Sequence, residues 1–140
     1  MLAILIWVLM VLVCLMMPGI MMLCASDFLR SGDKTNKFYG YRTKMSMKNK
    51  ETWKFAHTFC GNLWKRWGKI MLKSTLIAMA LLLAFAIISI SAIDSGTAVT
   101  VVAITGIAIM LIQLLVLIGS IIPVEKALNK EFDKEGNRRA

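Results

Sequence analysis

Three long stretches of the sequence contain no charged side chain: residues 1–26, 74–93 and 95–124. Apolar residues make up 58% of the 140-residue chain, against about 45–50% in a typical soluble domain. A soluble chain of this length could not bury so much apolar surface. Because about 20 apolar residues suffice to cross the bilayer hydrocarbon as a helix, the composition excludes an ordinary soluble domain and predicts a membrane protein.

Histidine and cysteine are scarce, which excludes several kinds of site. The chain has one histidine, His57, and three cysteines, with no CxxC pair. A structural zinc site takes four ligands, so His57 and Cys60 at i, i+3 spacing are too few. They also lack a third group that would orient them for nucleophilic catalysis. We therefore predict no disulfide framework, no metal site, no cofactor and no enzymatic activity.

Acidic residues are outnumbered, with 8 Asp and Glu against 17 Lys and Arg and a net charge of +9. Residues 26–73 hold 12 of the basic residues and residues 124–140 hold the other five, whereas the turn between the last two apolar stretches has only Asp94. Basic loops stay on the cytoplasmic side of a bacterial cell membrane. We therefore expect an external amino terminus and a cytoplasmic carboxy terminus. Topology accounts for the charge, and no nucleic-acid binding is expected.

The predicted fold is all-α, a polytopic membrane protein with three transmembrane helices and a cytoplasmic amphipathic helix at the membrane interface. The first apolar stretch lacks a positive amino-terminal region and is long for a signal peptide, so we expect it to be retained. The predicted segments are a transmembrane helix 1–25, a cytoplasmic polar loop 26–49, the amphipathic helix 50–68, transmembrane helices 69–94 and 95–123, and a cytoplasmic tail 124–140.

The predicted amphipathic helix has a basic face and an aromatic face. At 100° per residue its lysines fall mainly on one side, and Trp53, Trp64 and Trp67 fall on the other. Phe55 alone is out of place, on the basic side. Such a helix lies with its aromatic residues in the interface and its lysines toward anionic lipid headgroups. We predict that Trp64 and Trp67 are interfacial anchors and that Asn49 is the helix N-cap.

Two residues stand out inside the apolar stretches. Pro18 is expected to kink the first helix, because proline removes a backbone donor. Gln113 is the one amide near mid-membrane in the third helix. We expect it to hydrogen-bond to a neighbouring helix, with ligand binding as the alternative.

The order of residues in the central segment is more specific than its charge. A glycine-x-arginine-threonine run is followed by a tryptophan, a histidine and two glycines just ahead of an apolar stretch. The residues are Gly40, Arg42, Thr43, Trp53, His57, Gly61 and Gly68. This ordered set resembles the motif of the SdpI family of bacterial multipass membrane proteins, over about residues 36–122. The resemblance implies that these seven residues form a binding motif.

The resemblance also implies a function. The best-known members are immunity proteins, which protect a producing cell from its own membrane-active killing peptide, and which also signal by holding a soluble repressor at the membrane. We therefore expect toxin resistance, with the lipid bilayer, a peptide toxin and a cytoplasmic repressor as partners; a homodimer is also open. One alternative is a signalling protein that recruits a cytoplasmic regulator or anionic lipid through its basic loop. The other is a small membrane enzyme or transport subunit that uses His57 and Arg42.

Two hypotheses concern the motif itself. In the first, Arg42, Thr43 and His57 form a polar site at headgroup level that binds a lipid phosphate or a peptide carboxylate. The planar guanidinium suits such oxyanions, and histidine changes charge near neutral pH. In the second, Arg42 and Thr43 tie the loop onto the amphipathic helix, and the tryptophans anchor that helix.

Overall fold

A computed structural model of the chain describes residues 2–31, 38–89 and 95–139. These residues contain four α-helices and no named strand: α1 Leu2–Ser31, α2 Lys50–Ser89, α3 Ser95–Gly119 and α4 Ile121–Glu131. The predicted all-helical fold class is confirmed. The predicted outer turn with Asp94 and residues 32–37 of the predicted polar loop lie outside the described residues.

Three helical stretches of the described chain are long and apolar enough to cross a membrane: Ile4–Arg30, Lys50–Ile88 and Gly96–Glu131. Among their exposed large apolar side chains, leucine and isoleucine are the most frequent. A helix pairs its own backbone polar groups, which hydrocarbon cannot do for it. The predicted multi-pass membrane architecture is confirmed.

The predicted amphipathic helix and the second predicted span are parts of one helix, α2, which runs through Gly68 without a break. At 1.5 Å per residue its 40 residues extend about 60 Å, roughly twice the thickness of the hydrocarbon. Its uncharged part begins after Lys73. The charged part, Lys50–Lys73, therefore suits water and lipid headgroups rather than hydrocarbon.

The predicted N-cap of α2 is confirmed. The Asn49 side-chain oxygen accepts a hydrogen bond from the Thr52 N–H at 2.9 Å. In return, the Thr52 hydroxyl accepts one from the Asn49 N–H at 3.1 Å. Each side chain thus satisfies a backbone donor at the helix start, as in a capping box.

The chain divides into two compact units. We call Met1–Ile20 with Gly68–Leu115 the span unit, and Met21–Trp67 with Val116–Ala140 the motif unit. The core of the span unit is formed by small and medium-sized side chains from α1, α2 and α3. They are Cys14, Met79, Leu82, Ala86 and Val102.

A proline in the span unit leaves a backbone carbonyl without its helical donor. Pro18 has no N–H, so it cannot donate to the Cys14 carbonyl four residues earlier. Gln113 of α3 donates to this carbonyl at 3.0 Å and to the Thr75 hydroxyl of α2 at 2.8 Å. The Thr75 hydroxyl donates in turn to the Met71 carbonyl at 2.7 Å. Gln113, 3% exposed, therefore connects three helices and satisfies the carbonyl that the proline exposes.

In the motif unit, the chain turns between α3 and α4 ahead of Pro123, the last residue of the predicted span 95–123. Pro123 cannot donate to the Gly119 carbonyl, and α3 ends at that glycine. The Ser120 hydroxyl donates to the Leu117 carbonyl at 2.6 Å and closes the junction. Because Pro123 is the third residue of α4, where a missing N–H costs little, the new helix tolerates it.

The residues after α4 fold back in a short turn. The Asp133 carboxylate accepts hydrogen bonds from the N–H groups of Asn137, at 2.8 Å, and Glu135, at 2.9 Å. The hydrogen bond from the Asn137 N–H is the main reason why the pKa of Asp133 is lowered. The Asn49 side-chain amide donates to the Gly136 carbonyl at 2.6 Å. The N-cap of α2 thus also holds the tail.

We expect Gln113→Leu to lower the free energy of unfolding by about 1–2 kcal/mol. Leucine keeps the volume, but the Cys14 carbonyl and the Thr75 hydroxyl lose their donor. Unfolding of the purified protein in mixed micelles by sodium dodecyl sulfate measures the change.

Pro18→Ala supplies a matched background for this experiment, since it restores an N–H to the Cys14 carbonyl. In that background Gln113→Leu should cost less than half as much, because the two changes share one acceptor. Equal costs in both backgrounds would show that the amide does not serve the proline.

Candidate functional site

Tyr41, in the glycine-tyrosine-arginine-threonine loop, is bonded through both its backbone and its side chain. Its N–H donates to His57 Nε2 at 3.0 Å, and its carbonyl accepts from the Ser46 hydroxyl at 2.8 Å. Its phenol donates to Glu125 Oε1 of α4 at 3.0 Å. Burial, and then this carboxylate, raise the pKa of Tyr41, so the phenol stays a donor. Tyr41 therefore fastens the loop to both α2 and α4.

His57 is 2% exposed, and both of its ring nitrogens are engaged. Nε2 accepts the Tyr41 N–H, which requires Nδ1 to carry the proton. Nδ1 lies 2.9 Å from the Trp53 carbonyl, to which it donates. The imidazole also stacks on the Trp53 indole at 4.1 Å between ring centroids and meets the edge of Phe28 at 5.0 Å. Protonation of Nε2 would replace the acceptor with a second donor and break the bond to Tyr41.

Gly40 is glycine for two reasons. Its φ of +129° is a conformation that L side chains rarely adopt. A Cβ at this position would also collide with His57 Nε2 and lie 2.9 Å from Trp53 Cη2. The loop can therefore approach the stacked rings only without a side chain here.

Thr43 closes a single helical turn over residues 44–47. The Thr43 N–H donates to the Ser46 hydroxyl at 2.8 Å, and the Ser46 N–H donates to the Thr43 hydroxyl at 3.2 Å. The Thr52 hydroxyl contacts the Ser46 carbonyl at 3.3 Å and links this turn to the cap of α2. The spacing of Thr43 and Ser46 repeats that of Asn49 and Thr52, a signal that the sequence analysis missed.

Arg42 lies between Tyr41 and Thr43, with its side chain exposed. The structure thus engages Thr43 and His57 in internal hydrogen bonds and presents Arg42 at the surface. Arg42, Thr43 and His57 therefore do not form a single exposed site, because His57 is buried. For oxyanion binding, Arg42 is the exposed candidate of the three.

The other predicted residues lie along α2. A Cβ on Gly61 would come within 2.9 Å of Leu29 Cγ and 3.1 Å of the Ala25 carbonyl, so glycine lets α1 and α2 pack closely there. The Trp64 indole donates to the Ser120 hydroxyl at 2.8 Å. Trp67 is half-buried and Gly68 is buried. An interfacial role for Trp64 and Trp67 stays a prediction.

Two aromatic residues of α2 have features that helical spacing does not explain. Phe55, out of place on the basic face, packs edge-on against Phe132 of the tail at 5.5 Å between ring centroids. The Trp53 indole N–H is buried and meets no acceptor among the described residues. Leaving such a donor unpaired costs about 1–3 kcal/mol, which stacking on His57 helps to offset.

The described residues offer little to a metal ion. They include no group of three His, Cys, Asp or Glu side chains that could hold one. The three cysteines are free thiols, and Cys14 and Cys60 are buried.

The fold places the chain in the class of multi-pass helical membrane proteins. In this chain a glycine-containing loop is held against a buried histidine. The model of the SdpI/YfhL protein family matches residues 33–124, well over half of the chain. The chain belongs to the SdpI/YfhL protein family. Comparison with curated proteins and with solved structures gave no match.

We expect Gly40→Ala to lower the free energy of unfolding by about 1–3 kcal/mol, because the added Cβ meets His57 and an unfavourable φ. Gly119→Ala is the matched control in the same unit, since nothing lies within 4 Å of its Cβ position. Thermal unfolding in detergent compares the two. Equal effects of both substitutions would refute the close approach at Gly40.

A pH-dependent stability should follow from His57. Burial lowers the pKa of His57 below its ordinary 6.5, so the unfolded chain binds the proton more readily than the folded one. Neutral His57 contributes fully to the free energy of unfolding when the pH is well above 6.5, the ordinary pKa. As the pH falls below that value this contribution decreases, by at most about 1.4 kcal/mol per pH unit.

His57→Gln is the control for this prediction, because a glutamine oxygen can accept the Tyr41 N–H without titrating. Unfolding is compared at about pH 7.5 and about pH 5.5, above the range in which most carboxylates titrate. The native chain should lose more stability than the variant. Identical losses would mean that His57 does not titrate differently on folding.

Proposed function

We propose that this chain is an immunity-type membrane protein that protects its cell against a membrane-active peptide toxin, and that it does so without catalysing a reaction. The observation that carries the proposal is the family match over residues 33–124. The geometry of the motif supports it, because the motif builds a loop that is firmly held at its backbone.

The groups that could have acted in catalysis have other roles. Both nitrogens of His57 serve the fold, and the Cys60 thiol is 0% exposed. Burial of this kind suits packing better than reaction with a substrate. These observations favour binding over turnover.

The loop places Arg42 where it can meet a ligand. Its neighbours Tyr41 and Thr43 are both fixed by hydrogen bonds, so Arg42, an exposed residue, is carried on a defined backbone. A planar fork on such a support suits a carboxylate or a phosphate. The proposed ligand is an oxyanion, supplied either by the toxin or by lipid headgroups that the toxin also meets.

In a strain sensitive to the peptide, expression of the chain should raise survival, and Arg42→Lys should lower that survival about tenfold. Lysine keeps the charge but cannot pair with two oxygens at once, and one charge-assisted hydrogen bond is worth about tenfold in affinity. Colony counts at equal membrane expression measure the effect.

Lys44→Arg is the matched control, an exposed residue of the same loop whose charge is also retained. It should protect as well as the native chain. Full protection by Arg42→Lys would eliminate the fork as the binding group, and no protection by the native chain would eliminate the immunity function.

A groove in the motif unit favours a second candidate, recruitment of a cytoplasmic regulator. It has a volume of about 320 Å³ and combines two aromatic rings with charged side chains. Its lining residues are Glu51, Lys54, Phe55, Thr58, Phe132 and Arg138. Recruitment becomes the better explanation if the native chain gives no protection but binds a soluble protein. The Arg138→Glu variant should then fail to bind that protein.

We further propose that the motif unit faces the cytoplasm, because the basic residues concentrate in its segments. A membrane-impermeant maleimide should label Lys54→Cys only after cells are opened and should label Thr97→Cys in intact cells. Both positions are exposed. The native chain controls for labelling of its own three thiols. Labelling of Lys54→Cys from outside would reverse the proposed orientation.

A further inference from the structure

Hydrogen bonds in the span unit fix which residues of its helices lie at the same level. Gln113 of α3 donates to the Cys14 carbonyl of α1 and to the Thr75 hydroxyl of α2. The Trp7 indole of α1 donates to the Met79 carbonyl of α2 at 3.1 Å. Since the residue numbers rise along α1 where they fall along α2, these two helices are antiparallel.

Helix α3 runs parallel to α1 in the same unit. A Cβ on Gly106 would come within 2.8 Å of Met10 Sδ. Gln113, two turns later on α3, meets the Cys14 carbonyl, one turn later on α1. From the level of Gln113 toward one end of the unit, α1 and α3 therefore continue forward in the sequence while α2 is followed backward.

The charges of α1 and α2 do not match at this end. On α2, the exposed residues Lys73 and Lys69 lie two and six residues before Thr75, about 3 Å and about 9 Å along the axis. The six residues of α1 that follow Cys14 cover the same distance without a charge, and Met16 among them is 59% exposed. Two exposed lysines therefore lie at the level of exposed apolar side chains.

The span unit itself supplies no counter-charge at this level. The one acidic residue in its segments is Asp94, which follows the other end of α2 in the sequence. Apolar side chains continue the face of the lysines, because residues four apart share a side of a helix. Ile77 and Leu81, one and two turns after Lys73, are 62% and 67% exposed. This face of α2 thus has cations at one end and bare apolar surface beyond them, which is the complement of an anionic phospholipid.

We propose that Lys69 and Lys73 bind the phosphate of an anionic phospholipid whose acyl chain lies along Ile77 and Leu81. An ammonium group is unfavourable in hydrocarbon, and it is stabilised where the bilayer thins and headgroups reach it. The leaflet is then thinner beside α2 than beside α1, where Met16 remains among acyl chains. This site depends on the membrane-spanning fold and not on the immunity function.

Lipid retention by the purified full chain tests the site. The protein is held in detergent with equal amounts of phosphatidylglycerol and phosphatidylcholine, and bound lipid is counted by native mass spectrometry. We expect the native chain to retain phosphatidylglycerol preferentially and the Lys69→Gln, Lys73→Gln double variant to retain at least about tenfold less. Arginine at both positions should restore retention.

Lys44→Gln with Lys48→Gln is the matched control, since it removes the same charge from two exposed lysines of the motif loop. An equal loss in this control would mean that net charge rather than position attracts the lipid, and would overturn the proposal. Equal retention of both lipids by the native chain, or of neither, would also overturn it, and the second result would leave the lysines to another partner such as a peptide carboxylate.

A depth measurement tests the uneven leaflet. In nanodiscs of the same two lipids, 4-trifluoromethylphenylalanine replaces Ser74 of α2 in one sample and Met16 of α1 in another, both exposed. A nitroxide on the lipid headgroup should broaden the fluorine signal of position 74 at least several-fold more than that of position 16. A nitroxide at the middle of the acyl chain should do the reverse.

Two results of this measurement would overturn the proposal. Equal broadening of both positions by the headgroup nitroxide would mean that the leaflet has one level around the unit. Broadening of position 74 by the acyl-chain nitroxide alone would mean that no phosphate reaches the lysines. A failed immunity assay would leave both experiments unaffected.

Discussion

The hydrogen bond from the Tyr41 N–H to His57 Nε2 is the contact on which the motif unit depends. It requires the imidazole to be neutral with its proton on Nδ1, which the Trp53 carbonyl accepts. It also brings the loop so close to α2 that only glycine fits at position 40. Because a buried backbone N–H without a partner is costly, replacing the acceptor would release the loop as well as the ring.

In the span unit, too, a buried backbone polar group needs a hydrogen-bond partner. Hydrocarbon supplies no hydrogen-bond partner, so the Cys14 carbonyl that Pro18 leaves unpaired needs a donor from the protein. Gln113 provides it and reaches Thr75 with the same nitrogen. Pro18 and Gln113 look like two separate anomalies in the sequence, but they act together. The proline leaves the Cys14 carbonyl without a donor, and the buried amide, which needs an acceptor, donates to it.

The sequence sufficed for features that depend on neighbouring residues. Uncharged runs identified the three apolar helices, and side-chain chemistry identified Asn49 as the cap of α2. The sequence alone did not suffice to predict contacts between residues that are distant along the chain. The phenol of Tyr41 meets Glu125, 84 positions away, and no local periodicity encodes that pairing. Phe55 is a misfit on a helical projection only because Phe132, its partner, lies on a tail that the projection ignores.

These contacts change what a family motif of this kind tells us about function. Gly40, Thr43 and His57 have their side chains, or the lack of one, committed to the shape of the loop, so they specify how the loop is held rather than what it binds. Under the proposed function, the residues left for recognition are exposed ones such as Arg42. A substitution at an exposed position of the loop leaves these buried hydrogen bonds intact, so it changes what the loop presents without changing how the loop is held.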